Sequence, residues 1–287
     1  RGRLRAEDLG ALRSFGGLQA YPSRRKNPEI VDLTTGSMGL GAVAATFGGL
    51  AVRYLADHVG PRPPERFVVM VGDAELDEGN VWEALLEETV ARLGNVLWIV
   101  DLNRQSLDRI IPDARPRQLR AMFEANGWQV LELRWGRRLQ EFFDGAGGRR
   151  LRERLEGMSH AEYHRLLRLP PGAVRKTLVA GAGGETDAAL DRILADLDDE
   201  AVARLAADLG GHDLPSILDA LAEAAEPRDR PCVILAHTIK GWGLPLAADP
   251  LNHTALLSAP QIESLRAALG IAPGEEWAGF APGSAEA

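Results

Sequence analysis

Two short apolar runs rich in β-branched residues constrain the fold of this chain more than any other feature. Residues 67–71 are Phe-Val-Val-Met-Val and residues 96–100 are Val-Leu-Trp-Ile-Val. Such runs are typical of buried parallel strands, and the stretch between them predicts a crossover helix at 80–93. The alternation continues to a strand at 128–133, and a further strand is predicted at 231–236. The pattern predicts an α/β fold with a doubly wound parallel sheet.

The predicted domain organisation has a sheet domain flanked by two irregular segments. We expect the sheet domain to span residues 36–271, with a helical insertion at about 136–230. Residues 1–35 are polar and rich in turn formers, and residues 272–287 contain the Gly and Pro of a linker or tail.

Composition narrows the class of protein. The formal net charge of −8 argues against a general nucleic-acid surface. The single cysteine, Cys232, offers no disulfide framework and fits a reducing compartment. No run reaches the roughly 18 apolar residues of a membrane span, and no signal-peptide pattern opens the chain. We therefore expect a cytoplasmic protein without nucleic-acid or membrane partners and, because the chain begins with Arg1 instead of Met, a processed or partial polypeptide.

Polar clusters follow the first two predicted strands. Gly72, Asp73, Ala74 and Glu75 come after the first, and Asn103 lies 30 residues beyond Asp73, after the second. Parallel strands end at one edge of the sheet, which is where open α/β sheets bind ligands. Carboxylate, amide and main-chain carbonyl oxygens suit Mg²⁺ that carries a diphosphate. The sequence therefore predicts a metal-diphosphate site at this edge.

The Gly-Asp pair followed by Asn resembles the thiamine diphosphate fingerprint. The wider sequence resembles the transketolase superfamily and, within it, the homodimeric type of pyruvate dehydrogenase decarboxylase component. Four further segments occur in that family's order, namely 35–41, 102–108, 210–213 and 234–241.

This resemblance implies that the chain binds thiamine diphosphate together with Mg²⁺. It places the metal ligands on Asp73, on the side chain of Asn103 and on the main-chain carbonyl of Gln105. The implied cofactor contacts comprise Tyr21, Gly36, Met38, Gly72, Asp73, Ala74, Glu75, Asn103, Gln105 and Lys240. Simpler roles stay open, because the aspartate could cap a helix, the methionine could belong to the core and the tyrosine could lie in an ordinary turn. The family usually has glycine at the position of Ala74, but alanine is a small departure and we expect binding to survive it.

The resemblance also implies three catalytic candidates, Lys240, His253 and His237. His237 either points into the site or caps its strand. The loop before His253 is shorter than in the pyruvate enzymes, and a lone loop histidine commonly faces solvent.

The remaining histidines have simpler expected roles. His58, His160 and His164 fall in helical patterns and are expected at the surface. His212 belongs to a Gly-Gly-His-Asp motif that is expected to order the return of the insertion to the sheet.

The implied activity is thiamine diphosphate-dependent decarboxylation of pyruvate or a related 2-oxo acid, with the acyl unit passed to the lipoyl group of an acyltransferase. In this superfamily the glutamate that starts proton transfer in the cofactor comes from a pyrimidine-binding domain, which this sequence does not show. We therefore expect the diphosphate-binding half of an enzyme, inactive alone and completed in a homodimer or heterotetramer. One alternative is transketolase-type ketol transfer, favoured by Glu78-Gly79 and the shortened loop. Another is a non-catalytic cofactor-binding subunit.

Overall fold

The structure is a computed structural model that describes residues 4–180, 184–276, 278–279 and 283–284. The chain divides into two compact units. The larger, called the sheet unit here, comprises residues 36–242 and 246–253. The smaller comprises the described parts of 1–35, 243–245 and 254–287.

The sheet unit is built on a parallel sheet. The strands are β1 (Phe67–Gly72), β2 (Val96–Leu102), β3 (Gln105–Ser106), β4 (Arg109–Ile110), β5 (Gln129–Leu133) and β6 (Cys232–His237). The order in the main sheet is β1-β2-β6-β5, with every pairing parallel, and β3 and β4 form a small antiparallel hairpin. Gly72 pairs with Asp101 and Leu102 pairs with His237, so three strands end side by side at one edge.

Helices surround this sheet and form the insertion. They are α1 (Ala6–Gly10), α2 (Leu40–His58), α3 (Gly79–Leu85), α4 (Arg115–Ala125), α5 (Arg137–Asp144), α6 (Gly148–Glu156), α7 (His160–Leu166), α8 (Pro171–Val179), α9 (Ala188–Ile193), α10 (Asp199–Ala206), α11 (Leu214–Ala225) and α12 (Ala259–Ala268). The helices α1 and α12 belong to the smaller unit.

Both faces of the sheet carry apolar cores, because successive strand residues point to opposite sides. One core joins the strands to α2, α3 and α4, and inside it Trp98 donates its Nε1–H to Thr46 Oγ1 at 3.0 Å. The other core sets Ala220 and Ala224 of α11 against Leu97 and Ile234. The predicted doubly wound parallel sheet is confirmed.

The first crossover is shorter than the predicted helix at 80–93. Helix α3 ends at Leu85, and a separate 3₁₀ turn spans Val90–Arg92. Glu87 and Glu88 follow the helix, and acidic side chains at a helix C-terminus oppose its dipole.

The stretch predicted as a helical insertion is helical, and most of it has an apolar core of its own. That core includes Trp135, Phe143, Tyr163 and Leu190 and is separate from the two sheet cores. The last helix of the stretch, α11, packs on the sheet instead. Within the described ranges, no helix combines the length and apolarity needed to cross a bilayer.

Candidate functional site at the carboxyl edge of the sheet

Asp73 lies at the end of β1, in a 3₁₀ turn over Asp73–Asp77, and is only 4% exposed. Its Oδ2 accepts the backbone N–H of Arg104 at 2.9 Å, whereas its Oδ1 is buried without a hydrogen-bond partner among the described residues. Burial raises the pKa of Asp73 to about 7, and the nearby charge of Asp101 acts in the same direction. A cation at Oδ1 would supply the missing partner and favour the ionised carboxylate.

Asn103 and Gln105 lie on the loop that follows β2. The Asn103 Oδ1 accepts the Gln105 N–H at 2.9 Å, and the Asn103 Nδ2 lies 3.4 Å from Asp101 Oδ2. The Gln105 side chain is buried and donates its Nε2–H to Asp249 O at 3.0 Å. An amide oxygen has two lone pairs, so Asn103 can accept this bond and also ligate a metal.

These oxygens fit Mg²⁺ that is shared with a phosphate ligand. No cluster of three or more His, Cys, Asp and Glu side chains able to hold a metal occurs in the part of the chain that the structure describes. Mg²⁺ bound with a diphosphate needs only one or two carboxylates, because phosphate and water oxygens complete its octahedron.

A glycine-rich turn precedes α2 and lies against the start of α3. Gly39 has φ +74° and is buried, and a Cβ there would lie 2.4 Å from Val81 Cγ2. Asn80 donates its Nδ2–H to Met38 O at 3.1 Å. Met38 is 61% exposed, so it does not belong to the core. A Cβ added at Gly36 would meet no atom of the described chain within 4 Å, which leaves that backbone open to a ligand.

Ala74, where the family usually has glycine, does not require a backbone conformation that only glycine adopts easily. Ala74 lies in the 3₁₀ turn, and its φ is not in the left-handed region. The neighbouring Glu75 is half-buried, and burial, followed by the charge of Glu78, raises the pKa of Glu75. A Cβ at Gly72 would also find open space among the described residues.

Lys240 and His253, both predicted catalytic residues, are brought together. The Lys240 Nζ lies 3.0 Å from His253 Nδ1 and 3.4 Å from Leu107 O. Asn252 fixes the loop by donating its Nδ2–H to Lys240 O and Leu246 O, both at 3.0 Å. Burial lowers the pKa of the half-buried Lys240, while three carboxylates oppose that change, those of Asp108, Asp73 and Asp101.

His237 is engaged elsewhere. It is 4% exposed, and its Nε2 lies 3.0 Å from Glu132 Oε1 on the neighbouring strand β5. Burial lowers the pKa of His237 to about 4, while the hydrogen bond from His237 lowers the pKa of Glu132 to about 2. A neutral His237 imidazole that donates a hydrogen bond to the ionised Glu132 carboxylate is consistent with both lowered pKa values. Of the roles left open by the sequence, this geometry favours a structural one over a catalytic one.

His212 holds the loop after β6. Its Nε2 accepts the Ile239 N–H at 2.8 Å, and its ring stacks on Trp242 with centroids 4.6 Å apart. A Cβ at Gly211 would lie 2.5 Å from the carbonyl oxygen of His237, so glycine allows this close approach. Tyr21 belongs to the smaller unit and is 54% exposed.

The expectation that His164 lies at the surface is wrong. His164 is 1% exposed, both of its ring nitrogens lack a partner among the described residues, and burial lowers its pKa to about 3. His160 is half-buried, and His58 is exposed as expected. The helical pattern failed for His164 because α7 is covered by the insertion core, which includes the adjacent Tyr163.

Sequence reasoning also missed Arg104. It is 5% exposed and lies between two proposed ligands, Asn103 and Gln105. Arginine is seldom fully buried, so only its position between these ligands could have drawn attention to it.

The fold and this edge define an α/β protein whose candidate site lies at the carboxyl ends of parallel strands, where open α/β sheets bind ligands. The sequence model of the family described as "Transketolase, thiamine diphosphate binding domain" matches residues 3–144 and 184–279. The chain belongs to this family. The unmatched stretch between these ranges contains α6, α7 and α8.

The relatives described next are much longer than this chain. The pyruvate dehydrogenase E1 component of Escherichia coli (strain K12) is 31% identical over 272 residues, which cover 92% of this chain and 30% of the relative. The Corynebacterium glutamicum protein of the same name is 28% identical over 273 residues, covering 92% and 29%. The chain thus spans about 30% of the length of these relatives.

Solved structures of similar fold include transketolases. A mutant transketolase from Pichia stipitis superimposes with a TM-score of 0.59 at 20% identity, covering 97% of this chain and 31% of that one. The transketolase from Leishmania mexicana gives 0.57 at 22% identity, covering 94% and 30%. At these identities the likeness concerns the fold alone.

Proposed function

We propose that this chain binds thiamine diphosphate and Mg²⁺ at the carboxyl edge of its sheet. It would form the diphosphate-binding part of a 2-oxo acid dehydrogenase decarboxylase component. The observation that carries the proposal is the buried Asp73, whose Oδ1 lacks a partner among the described residues at the end of β1. A divalent cation shared with a diphosphate would engage that oxygen.

The chain's own residues would bind and orient the cofactor. Asp73, the side chain of Asn103 and the carbonyl of Gln105 would hold the metal, while Gly36 and Met38 would line the open turn before α2. When bound, thiamine diphosphate supplies the electron sink for breaking a bond next to a carbonyl.

Lys240 and His253 would face the substrate. The Lys240 ammonium provides a positive charge suited to the carboxylate of a 2-oxo acid. Since the ammonium donates to His253 Nδ1, a neutral His253 carries its proton on Nε2 and can donate it. This pair would hold one anionic substrate and one transferable proton.

The rest of the enzyme would come from outside this sequence. We propose that a pyrimidine-binding domain, on the same polypeptide or another, completes the site in a homodimer or heterotetramer, and that a lipoyl-bearing acyltransferase accepts the acyl unit. The pyruvate dehydrogenase E1 relatives, of which this chain spans about 30%, support this arrangement. A cytoplasmic location stays a prediction.

The direct test is calorimetric titration of the chain with thiamine diphosphate in the presence of Mg²⁺. The wild-type chain should bind, and Asp73→Asn should lose binding because the metal ligand loses its charge. Asp219→Asn is a matched control, since it makes the same chemical change on α11 at a side chain paired with Arg137. Equal binding by wild type and Asp73→Asn would refute the proposed site.

Turnover separates the alternative activities. With the pyrimidine-binding domain supplied, the proposal predicts pyruvate-dependent acetylation of a lipoyl domain. Turnover of xylulose 5-phosphate instead would identify ketol transfer. Cofactor binding without either turnover would indicate a non-catalytic subunit.

A further inference from the structure

Arg104 combines two features that are seldom found together. Its side chain is almost wholly buried, and its backbone is left-handed with φ +65°. Left-handed backbone is uncommon in residues other than glycine, and a buried charge needs compensation. A residue of this kind persists only where the surrounding structure holds it in place.

The backbone and guanidinium of Arg104 join three segments at the sheet edge. Its N–H donates to Asp73 Oδ2 at 2.9 Å, and its carbonyl oxygen accepts the Ile111 N–H at 2.9 Å. Its Nη2–H donates to Thr238 O at 3.0 Å. The residue therefore connects the end of β1, the segment after the β3–β4 hairpin and the end of β6.

Helix α7 of the insertion packs the ring of Tyr163 against the guanidinium of Arg104. The Arg104 Cζ lies 5.1 Å from the centroid of the Tyr163 ring, a cation–π contact. The Tyr163 hydroxyl donates to Ala206 O at 2.7 Å, which fixes the ring against α10. The ring is 3% exposed, so the contact is shielded from water.

The same helix holds the segment beyond the hairpin. The His160 N–H donates to Asp113 Oδ1 at 2.6 Å, and the His160 Nδ1 lies 3.1 Å from Ile111 O. Helix α7 thus contacts Arg104 through Tyr163 and the segment after the β3–β4 hairpin through His160. It lies in the stretch 145–183, which the family model does not match.

We propose that Arg104 is a positioning residue that sets the spacing of the metal-binding oxygens, and that α7 holds Arg104 in place through Tyr163. This role depends on the proposed Mg²⁺ and thiamine diphosphate site. Arg104 would contact neither Mg²⁺ nor thiamine diphosphate. Instead, its N–H donates to Asp73, and Asn103 and Gln105 are its two neighbours in the chain. Mg²⁺ requires near-ideal octahedral geometry, so a loop without this support should bind it less tightly.

The test measures the Mg²⁺ concentration that gives half-maximal binding of thiamine diphosphate to the full chain, by calorimetry at saturating cofactor. Arg104→Gly keeps the left-handed backbone accessible and removes the guanidinium. Tyr163→Leu removes the ring, and Tyr163→Phe is its matched control because the aromatic face remains.

We expect Arg104→Gly and Tyr163→Leu to raise the Mg²⁺ midpoint by about 10- to 100-fold, the usual effect of removing a residue that orients a metal ligand. The number of sites per chain should stay unchanged, and Tyr163→Phe should keep the wild-type midpoint. The double variant should be no weaker than Arg104→Gly alone, since both changes remove one contact.

Three results would overturn the positioning role. One is a wild-type midpoint in Arg104→Gly, which would show that the backbone alone matters. Another is a fall in the number of binding sites at an unchanged midpoint, which would indicate loss of folded protein. A third is equal weakening in Tyr163→Leu and Tyr163→Phe. If wild-type chain binds and Asp73→Asn does not, the proposed function stands whatever Arg104 does; if wild type fails to bind, both fall.

Discussion

Asp73→Asn should make the cofactor-free chain more stable at pH 8 while it abolishes metal-dependent cofactor binding. The pKa of Asp73 is about 7 in the folded chain because the carboxyl is buried, against an ordinary value of 3.8. The folded state therefore binds the proton more tightly than the unfolded state. Stability from this group is fully present below pH 3.8 and is lost as pH rises through 7.

The magnitude follows from the same difference. At 1.36 kcal/mol per pH unit, ionising Asp73 at pH 8 lowers the free energy of unfolding by about 4 kcal/mol. The asparagine avoids this loss and can still accept the Arg104 N–H through its amide oxygen. Its buried NH₂ group would lack a partner where Asp73 Oδ1 lacks one now, at a cost of about 1–3 kcal/mol. The net gain at pH 8 should therefore be about 1–3 kcal/mol, and at pH 5 it should disappear.

Urea unfolding of both proteins at pH 5 and pH 8 measures this difference. Burial lowers the pKa of His164 to about 3 and of His237 to about 4, so these histidines titrate between pH 5 and pH 8 only in the unfolded chain. Both proteins carry them, so their contributions cancel in the comparison. Asp219→Asn, at an exposed site, serves as the control for a charge change. An Asp73→Asn chain that is less stable than wild type at pH 8, or a difference independent of pH, would refute the reasoning.

Three further substitutions test other parts of the structure. His164→Leu should stabilise the chain by about 1–3 kcal/mol in urea unfolding, because both ring nitrogens are buried without partners among the described residues; destabilisation would show a partner for them. Gly39→Ala should lower the free energy of unfolding by about 1–3 kcal/mol, because φ is +74° and the added Cβ would overlap α3. Gly79→Ala is the control and should cost much less, because a Cβ there meets open space among the described residues. Equal effects of the two substitutions would contradict the described turn. Glu132→Gln should destabilise the chain by about 2 kcal/mol at pH 7, because the carboxylate loses the hydrogen bond that His237 donates to its charge. This loss should shrink as pH falls from 4.5 through 2, where the wild-type carboxylate protonates, and a loss that persists at pH 2 would contradict a stabilising role for the ionised Glu132.

The sheet was predictable because its strands carry their own pattern. The apolar run at 96–100 is buried on both faces, and few other structures accommodate such a run between turn formers. The run at 67–71 forms an edge strand, in which Val69 and Val71 are buried but Val68 and Met70 are exposed. The position of Asp73 at a strand end followed directly. The bounds of α3 were less predictable, because a weak helical pattern cannot show where tertiary packing stops it.

The support beneath the site was not predictable from the sequence. Tyr163 lies 59 residues beyond Arg104, and no local period connects them. The burial of His164 depends on the packing of the whole insertion core, and His237 finds Glu132 only through the pairing of β5 with β6. Long-range pairings of this kind depend on topology, which periodicity does not encode.

The central claim is that the chain holds thiamine diphosphate through a divalent metal at the edge of its sheet. Native mass spectrometry of the gently purified protein, before and after Mg²⁺ is removed with a chelator, tests it most directly. The account predicts a mass increase of one thiamine diphosphate and one Mg²⁺ per chain, lost with the chelator and absent in Asp73→Asn. A chain that takes up no cofactor in excess Mg²⁺, or that holds it equally well after chelation, would contradict the account.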